Sequence, residues 1–309
     1  MINPKIIFTG SGRFAVPILE NLIKNKYDII KVITAPDKPA GRKQELAASP
    51  IKKTALKYKL PLSQPEKTIT SQPEISGAEP DLIISADYGK IIPKHILDIP
   101  RFGCLNLHPS LLPEYRGPSP IQTAILNGES KTGLTIILMD EKIDHGPIVG
   151  QREIAIMTDD DSQTLEKKLA QLAASFLIEI LPGYLQGEIK PRRQDENQAS
   201  YTKILTKEDG RIDWRQSAEQ IARQVRAFYP WPGAWTEFDG LRVKILKAKA
   251  VESPTDPEDK SLRDKNQFTL PAKRGYLLLE IVQPAGKKPM TGQEFLRGRP
   301  HLKIVNQEE

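Results

Sequence analysis

Between residues 1 and 189 the chain alternates two hydrophobic rhythms. Short, nearly continuous apolar runs at 5–9 (KIIFT), 29–34 (IIKVIT), 81–85 (DLIIS), 104–108 (CLNLH) and 134–139 (LTIILM) predict strands of the kind buried in parallel sheets. Between them, helical spacing predicts helices at 14–25, 50–59, 119–127 and 165–181; in the first of these Ile18, Leu19, Leu22 and Ile23 share one face. Strands and helices in this order predict a doubly wound α/β domain over 1–189. Residues 190–203 are polar and follow neither period, which predicts a linker. Beyond it, Ala218, Ile221, Ala222 and Val225 recur at helical spacing within a helix predicted over 212–227. Strand-like runs at 234–238, 241–248 and 276–282 then predict a smaller β-barrel domain over 204–309.

The stretch GCLNLHPSLLPEYRGPSPIQ, residues 103–122, joins a predicted strand to a predicted helix whose start is marked by Ser119 as cap and Pro120 at the first helical position. Alternation along the strand puts Asn106 and His108 on one face, where the chain leaves the sheet. Open parallel sheets bind ligands at that edge. A side-chain amide and an imidazolium are the donors that acyl or formyl transfer needs at a developing oxyanion. By themselves the two residues fit a turn cap and a hydrogen-bonded histidine at a strand end better than a catalytic pair.

Composition narrows the field. No apolar run approaches the 18 or so residues of a membrane span, and MINPKIIFTG enters a strand directly instead of forming a secretory leader. The single cysteine, Cys104, excludes an internal disulfide, fits a reducing cytosol, and lies in an apolar strand as an inert core thiol would. The net charge of +6 is uneven: residues 1–189 hold 22 basic and 22 acidic residues, residues 190–309 hold 23 and 17. A basic second domain suits a polyanionic substrate or a merely soluble surface. Residues 34–50 (TAPDKPAGRKQELAASP) are too rich in Pro, Gly and charge for a plain connection, and Lys38, Arg42 and Lys43 give them a basic tip. Gly10-Ser11-Gly12, with Ala15 beyond, predicts a tight strand-to-helix turn; no acidic residue ends the second strand as a dinucleotide site would require. Asp159, Asp160 and Asp161 precede the long helix, where its positive end favours them over a metal role. The aromatics of FYPWPG (228–233) are expected at an interdomain corner more than on bases.

Asn106-x-His108 followed by Ser110-Leu111-Leu112-Pro113, Arg116-Gly117 and Pro120 resembles the signature of the folate-dependent formyltransferases, with Asp144 in KIDHGP standing at that family's third catalytic position. FTGSGRFAVP resembles the family's first strand and turn. DLIISADYGKIIP resembles its strand and loop beside the folate, with Asp87 where a small apolar residue is common. PDKPAGR with SPIKKTA, KEDGRIDWRQSAEQIARQVRAFYPWPGAW and QPAGKKPMTGQEFLRG are similar to segments of the methionyl-tRNA formyltransferases, so the resemblance spans nearly the whole chain.

The resemblance implies a Rossmann-like catalytic domain followed by an OB-like tRNA-binding barrel. It implies transfer of a formyl group from 10-formyltetrahydrofolate to the α-amino group of initiator methionyl-tRNA, in translation initiation. His108 would donate to the oxyanion, Asn106 would hold it, and Asp144 would orient or charge His108. Ser110, Leu111, Leu112 and Pro113, with Tyr88 and Gly89, would form the folate pocket, and Lys38, Arg42 and Lys43 would meet the tRNA. A cytoplasmic monomer without metal is expected. The charged stretch 251–271 departs from the family and predicts a reduced or irregular barrel. Asp87 is expected to face solvent. Two other readings stay open: a formyltransferase for a nucleotide sugar, which would not predict the basic loop and domain, and a non-catalytic RNA-binding protein, which would not require Asn106, His108 and Asp144 together.

Overall fold

The computed structural model describes residues 3–40, 45–251 and 268–299. In chain order the strands are β1 (Lys5–Gly10), β2 (Asp28–Ile33), β3 (Lys38–Ala40), β4 (Glu45–Ala47), β5 (Leu62–Ser63), β6 (Leu82–Ala86), β7 (Cys104–His108), β8 (Lys131–Leu138), β9 (Ile148–Ala155), β10 (Ala234–Phe238), β11 (Leu241–Val251), β12 (Thr269–Pro271), β13 (Tyr276–Pro284) and β14 (Met290–Thr291). The helices are α1 (Ala15–Lys24), α2 (Pro50–Lys57), α3 (Gln72–Ala78), α4 (Lys94–Leu97), α5 (Pro120–Asn127), α6 (Ser162–Leu185), α7 (Ala218–Phe228) and α8 (Gly292–Arg297). The chain divides into two compact units. The first holds residues 1–120, 131–155 and 166–203, and the second residues 121–130, 156–165 and 204–309. Among the described residues no helix is long and apolar enough to cross a membrane.

The first unit is built on a seven-stranded sheet of order β5-β2-β1-β6-β7-β8-β9. The first five strands run parallel, and β8 and β9 extend the sheet antiparallel. The fully covered side chains of Ile6, Ile7 and Phe8 on β1 and Leu82, Ile83 and Ile84 on β6 account for the unbroken apolar runs in the sequence, since both faces of these strands are packed. Strand order reverses direction between β1 and β6, the switch point beside which ligands bind in such sheets. β9 escapes the sequence reading because only one face of its second half is covered, so QREIA reads as polar. The predicted helix at 165–181 is the middle of a 24-residue helix, with Asp161 Oδ1 accepting from the Thr164 amide ahead of its first turn.

Residues 34–50 contain a two-stranded antiparallel hairpin, β3 with β4. Asp37 anchors its base through Lys52 at 2.6 Å and Gln64 at 2.9 Å. Lys38 is exposed on this hairpin, and Arg42 and Lys43 lie outside the described residues.

The second unit is an open antiparallel sheet, β10-β11-β13-β12 with β14 on β13, curved into a half-barrel. Phe238, Phe268 and Phe295 meet at its centre, each ring centroid 5.8 Å from the other two. Of the charged stretch at 251–271, on which the expectation of a reduced or irregular barrel rested, Thr269–Pro271 forms a strand and 252–267 lies outside the described residues. α7 begins six residues later than its periodicity suggested. Ser217 caps it in a reciprocal capping box with Gln220, while the Ile212 amide bonds the Trp235 carbonyl at 2.8 Å and its side chain joins the barrel core. An apolar residue six positions upstream of a helix packs with the sheet here, and spacing alone does not separate the two cases.

Candidate active site

The central strands β6 and β7 pair in register, Ser85 beside Asn106, and end together at the carboxyl edge of the sheet. β7 delivers Asn106 and His108 there, as alternation predicts. The loop after β7 is folded back by an internal lattice of bonds. Thr135 Oγ1 on β8 donates to the Ser110 carbonyl at 2.7 Å and accepts from the Leu112 amide at 3.0 Å. Gln151 on β9 donates to the Leu112 carbonyl at 2.6 Å and to Thr135 Oγ1 at 3.0 Å. Thr135 is completely covered, so each of these bonds satisfies a group that water cannot reach.

The turn from β8 to β9 brings Asp144 against β7. Asp144 adopts a left-handed backbone, φ 50°. Its carboxylate is the point where the site converges: Oδ1 accepts from Asn106 Nδ2 at 3.3 Å, and Oδ2 accepts from the Gly117 amide at 2.8 Å and lies 3.5 Å from His108 Nδ1. The other ring nitrogen of His108, Nε2, is 2.9 Å from the Tyr115 carbonyl. Both ring nitrogens therefore face acceptors. Donation from Nε2 to the carbonyl leaves Nδ1 as the nitrogen turned toward Asp144, and a doubly protonated ring satisfies both partners. Asn106 keeps a second N–H beyond the one directed at Asp144. The side chains of His108 and Asp144 are 5% and 13% exposed, so charge appearing here is only weakly screened.

The six residues expected to form a folate pocket fall into two sets. Leu111, Pro113 and Gly89 retain contact with solvent. Ser110, Leu112 and Tyr88 are buried; Ser110 Oγ donates to the Glu114 carbonyl at 2.7 Å, and the Tyr88 hydroxyl faces Thr68. The second set frames the loop from inside.

Asp87 follows β6 with φ 47°, its backbone carbonyl accepting from the Ser11 and Gly12 amides at 2.9 and 3.3 Å. It therefore sits at the switch point, its carboxylate lying over Gly12, where a Cβ would come within 1.5 Å of Oδ2. The residue is exposed, as expected, yet the walls around its carboxylate strip away enough hydration to raise its pKa from 3.8 to about 7, with the charge of Glu166 adding to the effect.

The least expected part of the site is the stretch 190–203. Instead of hanging free, it is bonded along its length to the first unit. Arg192 exchanges two backbone bonds with Ile148, Ser200 Oγ accepts from the Tyr115 amide, and Thr202 pairs with Arg116 through its backbone. Arg116 is completely covered. Its guanidinium donates twice to Glu196 (2.7 and 3.0 Å), twice to Gln194 Oε1 (2.8 and 3.1 Å) and once to the Tyr201 hydroxyl (3.0 Å). The hydrogen bonds to Glu196 and the carboxylate's charge raise the guanidinium pKa and lower that of Glu196. Glu196 is itself 56% exposed, so the guanidinium lies just beneath the surface. His145, beside Asp144, links Asp140 through Nδ1 (2.5 Å) and faces the same Glu196 through Nε2 (3.4 Å). Gln194, Glu196, Ser200 and Tyr201 carry no sequence signal, because their partners lie 48 to 85 positions away and polarity is all the strip itself displays.

Cys104 is buried and desolvation pushes its thiol up to about 12, which makes it inert. Among the described residues no group of three or more His, Cys, Asp or Glu side chains is placed to hold a metal ion.

Two family models match the chain: Formyl transferase over residues 4–181, and Formyl transferase, C-terminal domain, over residues 204–300. Its relatives include the methionyl-tRNA formyltransferase of Bacillus subtilis, 40% identical over 299 residues, covering 95% of this chain and 94% of that protein. The methionyl-tRNA formyltransferase of Thermodesulfovibrio yellowstonii is 44% identical over 296 residues, covering 95% and 96%. In structure the chain resembles WlaRD, a sugar 3N-formyltransferase, with TM-score 0.66 and 22% identity over 93% of this chain and 100% of that one. It also resembles HypX of Aquifex aeolicus, solved with tetrahydrofolic acid, with TM-score 0.63 and 19% identity over 96% of this chain and 47% of that one.

Proposed function

This chain belongs to the formyl transferase family, in the branch of the methionyl-tRNA formyltransferases, and from that premise we propose that it formylates the α-amino group of initiator methionyl-tRNA, with 10-formyltetrahydrofolate as donor, to supply translation initiation. It does so as a monomer in the cytosol. The observation that carries the proposal is the convergence of Asn106, His108 and Gly117 on the single carboxylate of Asp144 at the carboxyl edge of the sheet.

The amine must be neutral to attack the formyl carbon. Attack forms the new C–N bond and moves charge onto the formyl oxygen, toward which Asn106 offers its second N–H, joined by His108 once its Nδ1 has taken up the amine's proton. The Tyr115 carbonyl anchors Nε2–H, so Nδ1 is the working nitrogen. Asp144 stabilises the ring when Nδ1 holds the proton leaving the amine. That proton then passes to the folate nitrogen as its bond to the formyl carbon breaks. Polarisation in this scheme comes from side chains. Residues 1–189 carry the chemistry and residues 204–309 hold the tRNA, with 190–203 joining them and bracing the catalytic turn. Leu111, Pro113 and Gly89 face the folate, and Ser110, Leu112 and Tyr88 hold their loops in shape. Lys38, Arg42 and Lys43 meet phosphates of the tRNA, assisted by the basic excess of the C-terminal part.

Replacing His108 with Ala tests the assignment. kcat for formyl transfer should fall about 100- to 10,000-fold, while the KM for 10-formyltetrahydrofolate stays within about twofold. An equal loss in both would remove His108 from the chemistry.

A further inference from the structure

We infer that Gln194 is a positioning residue for the reaction, holding the Asp144 turn in register with His108; the inference rests on the reading of Asp144 given above. Its side-chain amide makes every hydrogen bond open to it. Nε2 donates to the Asp144 carbonyl and to the Gly146 carbonyl, each at 2.8 Å. Oε1 accepts from Arg116 Nε at 3.1 Å and from Arg116 Nη2 at 2.8 Å. An amide has two donors and two acceptor sites, and all four are engaged. The orientation is fixed as well. Turning the amide over would aim N–H groups at a cation and its oxygen at two carbonyls.

The two carbonyls that Gln194 grips are that of Asp144 itself and that of Gly146, two residues further along the same turn. Asp144 holds a left-handed backbone, uncommon for non-glycine residues although tolerated by aspartate, and surrounding bonds help to hold it there. Gln194 supplies two of those bonds, and the Gly117 amide restrains the carboxylate from the other side. The anchor behind Gln194 is the fully covered guanidinium of Arg116, which the adjoining Glu196 keeps in place. A continuous chain of bonds thus runs from Arg116 through Gln194 to the backbone at Asp144, and from its carboxylate to Nδ1 of His108. Glutamate accepts from Arg116 but cannot donate to the carbonyls, and asparagine is one methylene too short to reach both ends.

The test is Gln194→Glu, measured by single-turnover formylation of methionyl-tRNA in the wild-type background and in Asp144→Ala. Arg116 keeps an acceptor in this variant, so the fold should survive, with a melting temperature lowered by the loss of the donor to the Asp144 and Gly146 carbonyls. The expected result is a fall in rate of about 10- to 100-fold, an unchanged KM for 10-formyltetrahydrofolate, and no further fall when Asp144→Ala is already present, since nothing remains to be positioned. A similar fall in both backgrounds, or none in either, would overturn the inference. Should Gln194→Glu not fold, Gln194→Met is carried through the same two backgrounds with the same criteria. Failure of the wild-type protein to formylate methionyl-tRNA would instead strike the functional reading itself, and the two failures are told apart by that control.

Discussion

Arg116 offers a sharp test of how the segment 190–203 is held. Replacing it with Met preserves most of the side-chain volume and the packing of the stem, and removes five donated hydrogen bonds. The losses are unequal. Glu196 is 56% exposed and Tyr201 is exposed, so both rehydrate, and their share is about 0–1 kcal/mol. Gln194 Oε1 faces inward and loses both partners, which costs about 1–3 kcal/mol for an unsatisfied acceptor. Arg116→Met should therefore destabilise the first unit by about 1–4 kcal/mol. Glu196→Ala removes the other half of the same ion pair, but opening that position lets water reach the guanidinium, and the cost should stay below about 1 kcal/mol. Urea unfolding separates the two units, because Trp214, Trp231 and Trp235 are the only tryptophans in the chain and all lie in the second. Fluorescence follows that unit, and far-ultraviolet circular dichroism follows both. The dichroism midpoint should fall for Arg116→Met with the fluorescence midpoint unchanged. Equal costs for the two variants, or less than about 0.5 kcal/mol for Arg116→Met, would refute the reasoning.

Asp87 should be a stability liability above neutral pH. Its carboxyl is raised in the folded chain, so between pH 4 and 7 the unfolded chain ionises first and stability falls as pH rises; above about pH 7 the deficit is constant. The full displacement would correspond to about 4 kcal/mol, which access of water reduces to about 1 kcal/mol. Asp87→Asn should accordingly melt several degrees higher than wild type at pH 8 and at the same temperature at pH 4; a gain independent of pH would point elsewhere. Gly146 has no room for a side chain, because a Cβ would stand 1.9 Å from the Leu138 carbonyl oxygen, a backbone atom that cannot rotate away. Gly146→Ala should displace the Asp144 turn and lower kcat by about 100-fold or more, and a variant with wild-type turnover would show the turn to be dispensable.

Much of the framework was legible because it rests on local pattern. The apolar runs that became β1, β2, β6, β7 and β8 are covered on both faces, and the face shared by Asn106 and His108 follows from alternation alone. What escaped depends on partners distant in sequence. β9 is polar along half its length, and the covering that makes it a strand comes from its pairing with β8. The bonding of residues 190–203 leaves no trace in the sequence, since their order derives from Arg116, Asp144 and Ile148, none of them nearby in the chain. Arg116 itself was visible as part of a signature, but a charge in a loop next to glycine gives no hint of complete burial. His145, adjacent to Asp144, gains a place only once Asp140 and Glu196 are seen on either side of it.

The most direct measurement is formyl transfer from 10-formyltetrahydrofolate to methionyl-tRNA, run beside free methionine and a nucleotide amino-sugar as competing acceptors. The account predicts formylation of the tRNA alone, lowered at least about 100-fold by His108→Ala and sharply reduced by Asp144→Ala. Formylation of the amino-sugar with none of the tRNA would keep the convergence on Asp144 and contradict the assignment of the basic loop and second domain to tRNA.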